Sequence, residues 1–391
     1  MNKNKLELMT AAIKNEIDSG NIVGASLCII KNNKEVYRNE FGYANKETRA
    51  PMKRDTIYRM FSMSKPITAV AAMILFERGE IDLLYPVSRY LKGFENQKVS
   101  TSKGLVTTKK EVTIRDLLNM TSGIAYPDDN FEAGVQMANI YKDIKQKLES
   151  GHPTSTIDYC NQIGGVPLAF EPSESWLYGA SADILGAVIE IVSGKKFSQF
   201  LKDEIFIPLQ MVDTDFYVPT EKLDRFAQIY EYNAEQGRLN PFLDNFLGLN
   251  NYLTPPAFES GGAGLVSTIN DYSKFALMLL NGGAYEGARI LGRKTVDFLT
   301  QNQLDEKQQA SFQWDNLVGY GYGNLMRVLT NKSKAATNGS LGEFGWDGWT
   351  GNYFFVDPEE KLIMLYMIQK TQTGLTDFTR KLRAILYSSL D

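Results

Sequence analysis

The chain has 391 residues, of which 43% are hydrophobic and 23% are charged, and this composition is typical of a globular protein with one large domain or two closely packed ones. The net charge of −4 is spread along the chain, so no basic segment indicates binding to nucleic acid or to an anionic membrane surface. Cys28 and Cys160 stand in unrelated contexts, which favours buried free thiols over a disulfide framework. We find neither a metal-ligating cluster nor a phosphate-binding loop in the sequence, and we expect no cofactor.

The first residues predict an amphipathic helix rather than a targeting segment. Leu6, Met9, Ile13 and Ile17 recur at helical spacing between charged residues. No uninterrupted apolar segment typical of a signal peptide follows, and no stretch approaches the roughly 20 apolar residues of a membrane span. We therefore expect a cytoplasmic protein that does not bind a membrane.

After the first helix, the sequence predicts two strands and then a long, mostly helical region. Two strands are predicted at 25–31 and 35–43, joined by a turn at 31–34, and a helix is predicted from about 64 to 78. The region from about 81 to 200 is predicted to be mostly helical, with polar loops near 95–112 and 126–131. Its clearest helices are predicted at 114–118 and 182–192. A further helix is predicted at 271–281. Residues 210–260 are rich in aromatic side chains and show no clear period.

The N-terminal part is predicted as a helix followed by two strands, and the C-terminal part as two strands followed by a helix. Strands are predicted at 352–357 and 361–369, and a final helix carries Phe378, Leu382, Ile385 and Leu386 on one face. We therefore predict an α/β (α+β) fold, in which one antiparallel sheet built from both ends is flanked by the terminal helices. A mostly helical domain, 61–209, would be inserted into the sheet domain, 1–60 and 210–391, with a cleft between them.

Ser62 and Lys65 are the residues that most directly indicate chemistry. They stand three positions apart where the 64–78 helix begins, and residues at this spacing share a helix face, about 5–6 Å apart at Cβ. A serine hydroxyl needs a neighbouring base to act as a nucleophile. The single histidine, His152, has no Gly-x-Ser-x-Gly turn to partner it, so Lys65 is the candidate base. A helix-capping serine beside a surface lysine is the alternative interpretation.

Two further Ser-x-x-Lys pairs have less suitable surroundings. Ser100 and Lys103 lie in a polar stretch, and Ser193 precedes a glycine that indicates the end of a helix. Ser62 alone is followed at once by an apolar helix, whose N-terminus offers free N–H groups and partial positive charge to a developing oxyanion.

Five ordered motifs give the chain its resemblance to a known family. In chain order they are residues 61–65 (Phe-Ser-Met-Ser-Lys), 113–123 (Thr-Ile-Arg-Asp-Leu-Leu-Asn-Met-Thr-Ser-Gly), 176–186 (Trp-Leu-Tyr-Gly-Ala-Ser-Ala-Asp-Ile-Leu-Gly), 261–268 (Gly-Gly-Ala-Gly-Leu-Val-Ser-Thr) and 344–348 (Phe-Gly-Trp-Asp-Gly). The sequence resembles the serine β-lactamase and penicillin-binding-protein-like superfamily over nearly its whole length. The similarity is to the class C β-lactamase/esterase branch, which includes the family VIII carboxylesterases.

The resemblance implies roles for particular residues. Ser62 would be acylated, and Lys65 with Tyr178 would activate it, although the sequence leaves open which of the two takes the proton. The amides of Ser62 and Trp349 would form the oxyanion hole. Tyr126 is expected to line the substrate pocket or, alternatively, to be a loop aromatic.

Two departures from the β-lactamase pattern bear on the substrate. Ala180 replaces the asparagine that contacts the substrate amide, and Trp346 replaces the lysine that helps hold the substrate carboxylate, with Asp347 and Gly348 completing the motif. A desolvated carboxylate needs a cationic or multi-donor partner. We therefore expect a serine hydrolase for uncharged carboxylic esters, with a small-molecule ester or amide substrate, as a monomer or a dimer. The alternatives are a β-lactamase or D-amino-acid peptidase, and a penicillin-binding sensor without turnover.

Overall fold

A computed structural model of the chain describes residues 1–244, 251–312 and 314–390. In chain order the strands are β1 Gly24–Lys31, β2 Lys34–Asn45, β3 Ala50–Pro51, β4 Ile57–Arg59, β5 Lys98–Thr101, β6 Gly104–Thr107, β7 Tyr230–Asn233, β8 Arg238–Pro241, β9 Val266–Thr268, β10 Ala284–Tyr285, β11 Ala288–Arg289, β12 Tyr320–Gly323, β13 Met326–Leu329, β14 Phe344–Asp347, β15 Tyr353–Asp357 and β16 Leu362–Met367. The helices are α1 Lys3–Asp18, α2 Ser64–Glu77, α3 Ile114–Asn119, α4 Glu132–Glu149, α5 Thr156–Gly164, α6 Ser181–Ser193, α7 Phe197–Leu201, α8 Ile269–Leu280, α9 Arg293–Leu299, α10 Glu306–Gln309, α11 Lys332–Ala335 and α12 Asp377–Ser388.

Both ends of the chain build the main sheet. Its strand order is β12-β13-β14-β15-β16-β1-β2-β3, and every neighbouring pair is antiparallel. Strand β1 pairs directly with β16, so the N-terminal and C-terminal segments meet at the centre of the sheet. Helices α1 and α12 lie against each other. The predicted α+β architecture, with a sheet assembled from both termini, is confirmed.

The alternation of side chains along β1 places a separate apolar core on each face of the sheet. Leu27 and Ile29 are buried in a cluster with residues of α1 and α12. Cys28 and Ile30 point the opposite way and join the larger cluster beneath the helical part of the chain. This two-residue period is the geometry expected of a strand, and because both faces are covered, β1 is buried at every position but its last.

Helix α2 lies at the centre of the larger core. Every residue from Ser64 to Leu75 is buried, so this helix is covered on all sides. The buried side chains of α2, α3, α5 and α6 belong to the same cluster as the inner face of the sheet. The helices therefore form a continuous core with the sheet, and Ser62 lies where the two meet.

The structure contains strands in two regions where the sequence predicted none. The stretch 95–112, predicted as a loop, contains the short hairpin of β5 and β6, whose turn closes at Gly104 with a φ of +101° that favours glycine. The irregular region 210–260 contains a second hairpin, β7 and β8. Both hairpins are short and largely exposed, so their sequences lack the apolar alternation that identifies a buried strand. Residues 245–250 of that region lie outside the described part of the chain.

Candidate active site

A tight turn between β4 and α2 presents Ser62. Strand β4 pairs with β9, and the amide of Met60 donates to the carbonyl of Leu265 at 2.9 Å, which fixes the end of the strand. Phe61 then takes a φ of +45°, a left-handed conformation that costs a residue with a Cβ about 1–3 kcal/mol. One turn of 3-10 helix, Phe61–Met63, leads directly into α2. The sharp reversal leaves Ser62 partly exposed at the N-terminus of a buried helix.

Lys65 is fully buried and contacts three acceptors. Its Nζ lies 3.2 Å from Ser62 Oγ, 3.0 Å from the hydroxyl of Tyr126 and 2.9 Å from the carbonyl oxygen of Gly262. A neutral amine has two N–H donors and one lone pair. Tyr126 and Gly262 can take the two donors, which leaves the lone pair for the hydroxyl of Ser62.

Burial changes the acid–base behaviour of this lysine. Desolvation lowers the pKa of Lys65 to about 7, against the opposing influence of the carboxylates of Asp183 and Asp347. A sizeable fraction of Lys65 is therefore neutral near pH 7, where an exposed lysine would be charged. The geometry and the pKa of this amine both suit a general base.

Tyr178, which precedes helix α6, lies beside Ser62 and Lys65. Its ring centroid lies 4.6 Å from Lys65 Nζ, and its hydroxyl accepts a hydrogen bond from the indole Nε1 of Trp346 at 3.1 Å. Burial raises the pKa of Tyr178, while hydrogen bonds with Ser62 and Trp346 act in the opposite direction. Tyr178 therefore keeps its proton at neutral pH, where Lys65 can lose one.

The end of β14 closely approaches the turn that carries Ser62. A Cβ at Gly348 would lie 2.5 Å from the carbonyl oxygen of Met60, so only glycine fits there. The side chain of Asn352 donates to the carbonyl of Arg59 at 2.7 Å and ties the same two segments together. The next residue, Trp349, packs its ring on that of Phe61 with a centroid separation of 5.3 Å.

Ser62 opens into a cleft of about 910 Å3. The cleft is lined by Ser62, Tyr178, Trp314, Asp315, Asn316, Val318, Tyr320, Lys334, Ala335, Ala336, Trp346, Asp347, Trp349, Gly374, Leu375, Asp377, Arg380 and Arg383. The predicted pocket residues Trp346 and Asp347 are among them. Tyr126, Ala180 and Gly348 are not, because Tyr126 turns its hydroxyl to Lys65, Ala180 is buried at the start of α6, and Gly348 packs against Met60.

Asp347 has a partner that the sequence did not identify. Arg327, on the neighbouring strand β13, donates from Nη1 to Asp347 Oδ1 at 2.5 Å, and Oδ2 accepts from the amide of Leu375 at 3.1 Å. The guanidinium also lies 5.5 Å from the ring centroid of Trp346. A cation is therefore present beside this motif, and a carboxylate of the protein neutralises it.

Comparison with known proteins places the chain in a family. The family model of the beta-lactamases matches residues 9–387, almost the entire chain. The chain belongs to the beta-lactamase family. An uncharacterised protein of Mycobacterium tuberculosis is 32% identical over 374 residues, covering 92% of this chain and 88% of its own length.

Two relatives whose names state an activity are similar over nearly their whole length. The esterase EstB of Burkholderia gladioli is 27% identical, covering 94% of this chain and 91% of its own. The solved structure of EstCE1, a hydrolase with promiscuous acyltransferase activity, matches with a TM-score of 0.83 and 26% identity, covering 98% of this chain and 99% of its own. The relatives of this chain therefore include an esterase and a hydrolase that also transfers acyl groups.

Residues 1–244, 251–312 and 314–390 contain no group of three His, Cys, Asp or Glu side chains placed to hold a metal ion. Over the same residues, no helix has the length and apolar character needed to span a bilayer.

Proposed function

We propose that this protein is a serine esterase that acts through an acyl-enzyme on uncharged carboxylic esters. The observation that carries the proposal is the 3.2 Å separation between the partly exposed Ser62 Oγ and the buried Nζ of Lys65, at the edge of the cleft. A nucleophile within reach of a base that is neutral near pH 7 is the arrangement that nucleophilic catalysis requires.

In the proposed cycle, neutral Lys65 takes the proton of Ser62 as Oγ attacks the ester carbonyl. The oxyanion that forms would be held by the backbone amides of Ser62 and Trp349. Tyr178, which keeps its proton, would pass it to the leaving alcohol, and Lys65 would resupply that proton. Water, or an acceptor alcohol, then attacks the acyl-enzyme by the reverse sequence, with release of the acid or of a new ester.

The walls of the cleft support an uncharged substrate. Near Ser62 they are formed by the rings of Tyr178, Trp314, Trp346 and Trp349, which offer apolar surface and few hydrogen-bond donors. A β-lactamase or a D-amino-acid peptidase would need a cation for the substrate carboxylate. Arg327 is 2% exposed and already paired with Asp347, so a substrate would have to displace that carboxylate. Two other cations of the lining, Arg380 and Arg383, are likewise paired, with Asp377 and Glu343, and Lys334 lies on the exposed helix α11.

The substrate class is tested by measuring turnover of p-nitrophenyl butyrate and of a chromogenic cephalosporin side by side. We expect ester hydrolysis to exceed cephalosporin hydrolysis, and Ser62→Ala to abolish it, because the variant has no nucleophile. Intact mass of the enzyme after each incubation shows whether an acyl group stays bound.

Three results would oppose the proposal. Faster cephalosporin turnover would favour the β-lactamase or peptidase alternative. A stable adduct with the cephalosporin and no product would favour a penicillin-binding sensor. Ester hydrolysis that persists in Ser62→Ala would remove Ser62 from the mechanism.

A further inference from the structure

Asp183 is a buried acid in the 176–186 motif for which the proposed cycle has no role. It lies in the first turn of α6 and is 1% exposed. Its Oδ1 accepts two hydrogen bonds, from Ser260 Oγ at 2.5 Å and from the amide of Gly262 at 2.9 Å. Both donors belong to the loop that supplies a carbonyl oxygen to Lys65, so the carboxylate fixes the backbone on which the lysine depends.

A directional chain of hydrogen bonds connects Asp183 to Lys65 through that loop. Lys65 Nζ donates to the carbonyl of Gly262 at 2.9 Å, and the other end of the same peptide unit, the amide of Ala263, donates to Ser260 Oγ at 3.0 Å. Ser260 Oγ then donates to Asp183 Oδ1. Each member donates toward the carboxylate, so the bonds polarise one another in the same sense. The negative charge of Asp183 therefore strengthens the carbonyl acceptor that Lys65 contacts.

We propose that Asp183 is a positioning residue for Lys65, and that its charge acts on the lysine amine through the 260–263 loop. The proposal rests on the proposed role of Lys65 as the base. Asp183 stabilises the protonated amine, so that the lysine keeps a usable basicity despite its burial. Without this carboxylate Lys65 would be a weaker base that is neutral over a wider pH range.

Other groups that face Lys65 do not duplicate this contribution. Asp347 also favours the protonated amine, but Arg327 compensates its charge. Tyr126 and Tyr178 face Lys65 as neutral phenols, because burial raises the pKa of both. Burial raises the pKa of Asp183, while the hydrogen bond from Ser260 and the positive charge of Lys65 act in the opposite direction and favour the carboxylate. Among the described residues Asp183 makes no salt bridge, so Lys65 is the cation that faces it.

Apart from Lys65, the titratable groups that face Asp183 from the other elements are neutral. They are the phenols of Tyr126, Tyr141 and Tyr159 and the thiol of Cys160, whose pKa values burial raises well above the usual range. These groups do not titrate near pH 7, so a pH effect of changing Asp183 can be read at Lys65.

Asp183→Asn tests the charge with little change of shape. The amide Oδ1 of asparagine can accept both hydrogen bonds from Ser260 and Gly262, so the loop stays anchored while the charge is lost. In the wild type, kcat/KM should rise with pH through about 7, as Lys65 becomes neutral. In Asp183→Asn this rise should move to lower pH by at least about half a unit, and the plateau should fall.

Two further variants separate charge from loop geometry. Ser260→Ala breaks the chain of hydrogen bonds but keeps the carboxylate of Asp183. The rise of its kcat/KM with pH should therefore also move to lower pH, but by less than in Asp183→Asn. Thr68→Val is the matched control, because Thr68 Oγ1 donates to the carbonyl of Gly261 at 2.7 Å and carries no charge. The kcat/KM of Thr68→Val should rise at the same pH as that of the wild type. The rate at which a fluorophosphonate labels Ser62, followed by intact mass, gives the same profiles without a preferred ester.

An Asp183→Asn profile that coincides with the wild type would overturn the inference. So would a Thr68→Val shift as large as that of Asp183→Asn, since loop geometry would then be the cause. If Asp183→Asn does not fold, an unshifted Ser260→Ala profile overturns it. If the fluorophosphonate leaves Ser62 unlabelled and Ser62→Ala hydrolyses esters normally, the proposed function itself has failed.

Discussion

Replacing Lys65 by methionine is expected to lower kcat/KM for a p-nitrophenyl ester by about 10^3-fold, within the 10^2–10^4-fold range of a positioned acid or base. Methionine has a similar length and is apolar, so it fills the fully buried site but cannot take the proton of Ser62. It also leaves the hydroxyl of Tyr126 and the carbonyl of Gly262 without the donor that both now share. Steady-state kinetics at the plateau pH measure the loss, with circular dichroism to verify folding.

Lys103→Met is the matched control for this change. Ser100 and Lys103 have the same spacing as the active pair, but they lie in the exposed β5–β6 hairpin. We expect this variant to retain wild-type kcat/KM. A Lys65→Met enzyme with wild-type activity would contradict the assignment of Lys65 as the base.

The largest effect on stability is expected at Glu343. Its carboxylate accepts hydrogen bonds from Arg383 Nη2 at 2.6 and 2.7 Å and from the hydroxyl of Tyr387 at 2.6 Å, and the side chains of Glu343 and Arg383 are 1% and 2% exposed. Glu343→Gln removes the counter-charge of a buried guanidinium. We expect the free energy of unfolding to fall by about 3–5 kcal/mol, measured by urea denaturation.

Asp203→Asn gives the comparison at the surface. Asp203 pairs with Lys195 at 2.7 Å, and both side chains are substantially exposed. Solvent screens such a pair, so we expect no measurable change in the urea midpoint. A Glu343→Gln protein as stable as the wild type would show that the buried pair does not contribute in the way its contacts indicate.

Local patterns predicted the parts of the fold and site that depend on neighbouring residues. The spacing of Ser62 and Lys65 at the start of an apolar helix corresponds to the 3.2 Å contact between their side chains. The apolar runs near both termini identified the central strands β1 and β16, whose pairing completes the sheet. In each case, the repeat of a helix or a strand determines which side chains lie on the same face.

Contacts between distant segments could not be read in the same way. Tyr126 meets Lys65 across 61 positions, and no local pattern pairs these two residues. Arg327 reaches Asp347 because β13 and β14 are adjacent strands, which depends on the sheet order. Asp183 stood within a recognised motif, but its role depends on a loop 77 positions away. Such contacts are set by tertiary packing.

Trapping the acyl-enzyme shows directly whether Ser62 carries the acyl group. The enzyme is mixed with excess p-nitrophenyl butyrate, quenched in acid within milliseconds to seconds, digested with a protease and analysed by mass spectrometry. We expect one butyryl group on the peptide that contains Ser62, and none on the same peptide of Ser62→Ala. Rapid ester turnover with the acyl group on another residue, or with no acyl-enzyme at any quench time, would contradict it.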